Sequence, residues 1–277
     1  MAEPEDEDEG MEKLKKILST GAAPPTFDME DVKMPKFKFD LSKLKAKKMK
    51  TGVPGLDQLV GGGFRKGTVI AICGENGAGK TTLAMQMLRE GGMKYSEPGL
   101  FISFDEHKSS MYANMESYGW DLRKLEREKK LVFIEYPAHE IEHFGAQESV
   151  IRDMIDSMGI ERIAIDSIAP LALQYKDEEE RRREMMKLFE KIRKWGCTTF
   201  VIAESIKDTL DRVPRTKYGV EVVSDGMVYL YNLRCKAKRS RGIEVVKLRG
   251  SAHKTGIWSM NISGKGITVF PNKPYKC

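Results

Sequence analysis

Five short runs rich in apolar and β-branched residues recur along the chain: TVIAIC at 68–73, GLFISF at 99–104, LVFIEY at 131–136, ERIAID at 161–166 and TTFVIA at 198–203. Stretches with helical spacing separate them. Strands of this kind alternating with helices predict an α/β domain, with a mostly parallel twisted sheet flanked by helices. The clearest helix spans residues 177–194, where Met185, Leu188, Phe189 and Ile192 share one face. On its opposite face Glu178/Arg182 and Glu179/Arg183 stand four apart, so its EEERRR run reads as a solvated surface laced by i,i+4 pairs. After Asp225 the helical spacing stops. GMVYLYNL, IEVVKLR, GIWSMNI and GITVF follow as strands joined by short Gly-rich or basic turns, which predicts an antiparallel extension of the sheet at its C-terminal side.

The first 49 residues differ from this pattern. An acidic tip (MAEPEDEDEG), a short helical stretch at 11–18, a Pro24-Pro25 break and a Lys-rich segment from 33 to 50 follow one another. Residues 1–49 are therefore expected to be a charged extension, partly disordered or serving as a docking arm, with a single domain over 50–272 and a short tail at 273–277. Composition narrows the class further. With 32% charged residues and a mean hydropathy of −0.44, no segment nears the ~20 consecutive apolar residues of a membrane span. The acidic start is unlike a secretory signal, so membrane and secreted classes are set aside. Cys73, Cys197, Cys235 and Cys277 form no CxxC or Cys/His cluster, which argues against a zinc site or disulfide framework and makes a reducing cytoplasm the simplest setting. The net charge of +6 bears on solubility before it bears on partners.

The most specific chemistry follows the first predicted strand. Gly74-Glu75-Asn76-Gly77-Ala78-Gly79-Lys80-Thr81 is GxxxxGKT in a strand-loop-helix setting, in which glycines let consecutive N–H groups and a helix N-terminus face phosphate oxygens. Lys80 would neutralise the β- and γ-phosphates, and the Thr81 hydroxyl would hold Mg²⁺. Such a loop needs a second acidic group for the metal. The strand ending in Asp166 supplies it, because an apolar strand followed by Asp places a carboxylate at the C-terminal edge of the sheet. Asp105 and Glu106, which end another strand, bring paired carboxylates to the same edge, where one could orient a water molecule or where either could cap a helix.

Taken in order, Thr51-Gly52-Val53-Pro54-Gly55-Leu56-Asp57, Gly61-Gly62-Gly63-Phe64, the phosphate loop, Asp105-Glu106, Tyr118-Gly119-Trp120-Asp121-Leu122, Ile165-Asp166-Ser167 and Lys247-Leu248-Arg249-Gly250-Ser251-Ala252-His253 resemble the KaiC branch of the RecA-type P-loop ATPases, in its single-domain, archaeal-type form. The resemblance covers about residues 50 to 272. It implies a RecA-like core that binds ATP and Mg²⁺ and assembles into rings, commonly hexamers, with nucleotide between subunits and a protein partner to act on. Carried over by position, it makes Gly77, Ala78, Gly79, Lys80, Thr81 and Thr82 phosphate ligands, Thr81 and Asp166 metal ligands, and Asp105 and Glu106 the catalytic pair alongside Lys80. The family has Glu-Glu where this chain has Asp-Glu. Ser117 and Ser263 match positions near the nucleoside. Lys247, Leu248, Arg249, Ser251 and His253 match the segment that reaches the ATP of the neighbouring subunit, with Lys247 and Arg249 as the cations supplied in trans.

Two departures separate this chain from the two-domain clock members of that branch. It has one P-loop, and no Ser or Thr occurs between residues 168 and 197, the stretch in which those members are phosphorylated. The sequence therefore points to an ATPase acting as an oligomeric nucleotide-driven switch or scaffold. A DNA-binding recombination ATPase of the RecA/RadA type is the alternative, resting on Lys207, Arg212, Arg215 and Lys217 after TTFVIAES and on the basic hairpin tip at 234–241. An autokinase is a third reading.

Overall fold

The computed structural model describes residues 47–137, 140, 141, 144, 147–206, 213–235 and 238–276. The predicted helix at 11–18 and the lysine-rich segment up to residue 46 lie outside the described residues, as do Lys207 and Arg212.

The chain enters through β1 (Lys48–Met49), which pairs antiparallel with β2 (Phe64–Arg65) on either side of the short helix α1 (Leu56–Leu59). Strands β3 (Val69–Gly74), β4 (Gly99–Ser103), β5 (Leu131–Glu135), β6 (Arg162–Asp166) and β7 (Thr198–Glu204) then alternate with helices α2 (Lys80–Lys94), α3 (Lys108–Glu116), α4 (Leu122–Arg127), α5 (Glu148–Met158), α6 (Ala169–Leu173) and α7 (Glu178–Lys194). The short helix α8 (Val220–Val223) leads into β8 (Gly226–Cys235), β9 (Lys238–Leu248), β10 (Ile257–Ser263) and β11 (Gly266–Pro274). The large sheet has the order β11-β10-β9-β8-β3-β7-β6-β4-β5. Its strands from β5 to β8 are parallel, and β8 to β11 continue antiparallel. The α/β expectation with C-terminal antiparallel strands holds.

Side-chain alternation divides the core. Ile70, Ile72, Phe101 and Phe200 face α2 with Leu83 and Met87, whereas Val69, Ala71, Ile102, Ile163 and Val201 face α7 with Phe189 and Ile192. Both faces are covered, so the strands read as continuous apolar runs. Parallel pairing also gathers the strand ends: Gly74 lies opposite Glu204, and Ser103 opposite Asp166. The residues that leave these strands therefore share one edge.

Helix α7 starts where expected, with the Asp177 carboxylate accepting from the Glu180 N–H at 2.8 Å. The expected Glu178/Arg182 and Glu179/Arg183 pairs do not close among the described residues. Glu178 and Arg182 fall in line with Met185 and line a cleft beside it, and elsewhere on the helix Lys187 pairs with Glu184 at 2.7 Å; long solvated side chains gain little from any single partner.

Two features lie beyond the reach of periodicity. The TGVPGLD segment is a structural knot: the Asp57 carboxylate accepts from the Thr51 backbone N–H at 2.9 Å and its hydroxyl at 2.8 Å, while Gly55, at φ 81°, has no room for a Cβ beside the Val269 carbonyl. Arg162, first in β6, is fully buried. It donates to Glu97 at 2.8 Å and to the carbonyls of Met87 and Lys50 at 2.7 Å each. Lys66 bridges Glu97 from the other side at 2.7 Å.

Candidate active site

The loop after β3 closes on α2 through glycine. Gly77 and Gly79 have φ of 73° and 102°, and Gly79 is the residue from which α2 springs. A Cβ on Gly79 would come within 2.6 Å of Ile262, so both conformation and space demand glycine there. Ala78 is buried beneath the loop, and its N–H bonds Glu75 O at 3.2 Å. The α2 N-terminus thus opens onto a cavity of about 590 Å³, lined by Lys80, Thr81 and Thr82 from the helix, by Asp166 from the end of β6, and by Asp105 and Glu106, which lie in the bend after β4 and not at the strand's end as expected. All six were candidates on sequence, and the parallel sheet brings them together.

Lys80 folds back so that its ammonium donates to Gly74 O at 3.0 Å and Glu75 O at 3.1 Å. Burial lowers its pKa, and the nearby Asp166 works against that. The Thr81 hydroxyl donates to Asp166 Oδ2 at 2.6 Å. Burial pushes the Asp166 carboxyl up to about 6. The Thr81 bond and Lys80 pull it down, while Asp105 and Glu106 push it further up. A carboxylate that is desolvated and crowded by two others is stabilised by a cation. Two adjacent hard oxygens, one hydroxyl and one carboxylate, fit Mg²⁺, which takes few protein ligands and completes its shell with water and phosphate. The residues present therefore suit the metal.

The two remaining carboxylates are held differently. Asp105 Oδ2 accepts from the Ser167 hydroxyl at 2.7 Å. Glu106 Oε1 accepts from the Asn114 side-chain amide at 2.6 Å, and the buried Ser103 hydroxyl brackets the Glu106 backbone, donating to its carbonyl at 2.6 Å and accepting from its N–H at 3.1 Å.

Other candidates lie away from the cavity. The Ser117 hydroxyl turns back to Asn114 O at 2.6 Å, and its neighbour Tyr118 lines the cavity. Ser263 sits in the β10–β11 hairpin, where its hydroxyl accepts from the Lys265 N–H at 3.3 Å; Ile262 beside it lines the cavity. Lys247 and Leu248 occupy the end of β9 that pairs with the start of β8, Met227 opposite Lys247 and Gly226 opposite Leu248, and Arg249 follows directly. Since Gly226 is level with Ile70 and the phosphate loop follows Gly74, they stand at least ~13 Å along the sheet from their own loop. Leu248 packs into the core. Lys247 donates to Glu221 O, and Arg249 to Val222 O at 3.1 Å, capping the carbonyls of α8. Ser251, whose N–H bonds Leu248 O at 3.4 Å, and His253, half-buried, follow on the same connection.

Sequence reading misses further polar contributors. Asn76 and Glu204 line the cavity. Arg241, taken with the basic hairpin tip, lines it too, and its Nε is buried with no hydrogen-bond partner among the described residues, as is the facing Asn232 Oδ1. Of the basic residues proposed for DNA, Arg215 and Lys217 line a separate cleft of about 410 Å³ with Arg181, Arg182 and Tyr218. No helix among the described residues is long and apolar enough to cross a membrane.

A family model described as the KaiC ATPase matches residues 49–274. The circadian clock oscillator protein KaiC of Parathermosynechococcus lividus is 34% identical over 241 residues, covering 84% of this chain and 44% of that protein. Its namesake in Synechococcus elongatus is 34% identical over 232 residues, covering 81% of this chain and 44% of that protein. This chain thus spans less than half the length of these curated relatives. Among solved structures, a KaiC-like protein of the hyperthermophilic archaeon Pyrococcus horikoshii OT3 is 30% identical, with a TM-score of 0.71 over 82% of this chain and 100% of that one.

Proposed function

The chain belongs to the KaiC ATPase family, and from that premise we propose that it binds ATP with Mg²⁺, hydrolyses it to ADP and phosphate, and works as an oligomeric nucleotide-driven switch or scaffold for a protein partner. The observation that carries this reading is the convergence of Lys80, Thr81, Asp166, Asp105 and Glu106 on one cavity at a glycine-shaped helix N-terminus.

The work divides among the residues. The N–H groups around Gly77 and Gly79 and the N-terminus of α2 bind phosphate oxygens. Lys80 exchanges two loop carbonyls for the β- and γ-phosphates. Thr81 and Asp166 would hold Mg²⁺, which would supply charge neutralisation to the phosphates. Asp105 and Glu106 orient the attacking water. Charge building on the γ-phosphate is met by Lys80 and by Lys247 and Arg249 of a neighbouring subunit, since this chain's own pair stands at the far end of the sheet; such cations in trans are worth ~10³-fold or more in rate.

Hydrolysis is favoured over self-phosphorylation by the hydroxyl-free stretch between residues 168 and 197 and by the state of its flanking hydroxyls. Ser167 is buried and donates to Asp105, and Thr198 is buried and accepts from the Gly67 N–H at 3.2 Å.

The test mixes two inactive variants, Arg249→Ala and Asp105→Asn/Glu106→Gln. Each alone should bind ATP and hydrolyse it poorly. Mixed assemblies unite an intact carboxylate pair with an intact Arg249 and should regain part of the activity. Proven subunit exchange with no recovery would refute the trans assignment, and full activity in the double amide variant would refute the ATPase site.

A further inference from the structure

The tandem carboxylates are not equivalent. Asp105 is tethered at one point, to the Ser167 hydroxyl on the strand end that carries Asp166. Glu106 is fixed through both backbone and side chain: Ser103 brackets its peptide, and the Asn114 amide holds Oε1 at 2.6 Å. Asn114 lies two turns into α3, exposed to solvent. Asparagine is a weak helix former, and here its side chain neither caps the helix nor packs in the core. Its one described side-chain hydrogen bond is the one to Glu106.

We propose that Asn114 is a positioning residue for Glu106, and that Glu106 rather than Asp105 is the base of the hydrolysis set out above, a reading on which this inference rests. A glutamate has three side-chain torsions, and an amide on Oε1 removes most of that freedom while leaving Oε2 able to accept from water. As the water oxygen bonds to the γ-phosphorus, the bond to the β–γ bridging oxygen breaks and its electron pair leaves with ADP. The proton released by the water passes to Glu106 Oε2. Asp105, one methylene shorter and turned toward Ser167, serves the strand end beside Thr81 and Asp166. The Asp-for-Glu departure from the family pattern then costs the chain nothing in base chemistry.

The test is a double-mutant cycle read as kcat and KM for ATP, with affinity for a fluorescent ATP analogue measured beside it. Asn114→Leu changes an exposed site and should fold. It should lower kcat about tenfold, with KM and analogue affinity unchanged, as expected when an interaction serves only the transition state. In a Glu106→Gln background the same change should add no further loss, because its target is gone. In an Asp105→Asn background it should cost the full tenfold again. Ser103→Ala, which loosens the Glu106 backbone, should follow the same pattern. Equal losses in both backgrounds, or a loss confined to KM, would overturn the assignment while leaving the ATPase reading intact. Absence of hydrolysis by the wild type, with the analogue still bound, would remove both.

Discussion

Gly91 and Arg162 offer the sharpest test of how the domain is assembled beneath the site. Gly91 lies within α2, where glycine costs ~1 kcal/mol relative to alanine. A Cβ there would lie 2.5 Å from Arg162 Nε and 2.8 Å from Cζ, and Arg162 cannot move aside, since Glu97, Met87 O and Lys50 O hold it. Gly91→Ala in the wild type therefore gains ~1 kcal/mol of helix propensity and loses ~3 to overpacking and displaced bonds, a net destabilisation of ~2 kcal/mol. Arg162→Val alone should cost ~4 kcal/mol, within the range for breaking a buried pair; Glu97 keeps Lys66, but two carbonyls lose their donor. In the Arg162→Val background the obstruction is gone, and Gly91→Ala should change sign to a stabilisation of up to ~1 kcal/mol. The coupling is then ~3 kcal/mol, read from urea midpoints at fixed protein concentration without nucleotide. If Gly91→Ala has the same effect in both backgrounds within ~0.5 kcal/mol, the glycine is not there to admit the guanidinium.

Acid should act through the same cluster. Burial alone would raise the Glu97 pKa, but the bonds from Lys66 and Arg162 outweigh it and hold it below its usual value of 4.5, so its contribution is present above that value and is lost as pH falls through the folded pKa. The urea midpoint of Glu97→Gln should lie below wild type at about pH 6, and the gap should narrow as pH falls below 4.5 toward the lowered folded pKa; parallel curves would refute this. Single-stranded DNA binding should show a shallow dependence on salt, because Lys217 in the basic cleft is paired with Glu204 at 3.4 Å and Arg181 with Tyr175 O at 3.3 Å. A steep log–log slope in a fluorescence titration would favour the nucleic-acid reading instead.

The sequence makes legible whatever is encoded over short spans. The phosphate loop occupies consecutive residues, and each parallel strand is an apolar run whose last residue must fall at the common edge. Asp166, Asp105 and Glu106 are therefore legible as neighbours of Lys80 from the sequence alone. Tyr118-Gly119-Trp120-Asp121-Leu122 is legible as a motif but not in its role, which is largely structural: Trp120 is buried, and Asp121 caps α4 through the Lys124 N–H at 2.8 Å. Arg162 escapes detection because its partners lie at Glu97, Met87 and Lys50, and only the tertiary arrangement converts a strand-edge arginine into a core residue.

The face on which a strand residue lies is a different kind of information, and β9 shows why. Arg241 and Lys247 are six apart, so strict alternation would put both on one face. The register shifts between Met227 and Val228, with Val228 opposite Val245 and Met227 opposite Lys247, so that Val246 is extra. Up to Val245 the odd-numbered residues face α2, and Arg241 reaches the phosphate-loop cavity. Beyond the bulge Leu248 takes that face, and Lys247 and Arg249 turn to the α8 side. One inserted residue thus divides the basic residues of a single strand between the chain's own nucleotide cavity and the opposite surface at the far end of the sheet. Bulges are set by pairing partners and not by the bulged strand alone. For this reason the spacing of basic residues could not distinguish the arginine that faces the subunit's own cavity from the two cations proposed to serve a neighbour.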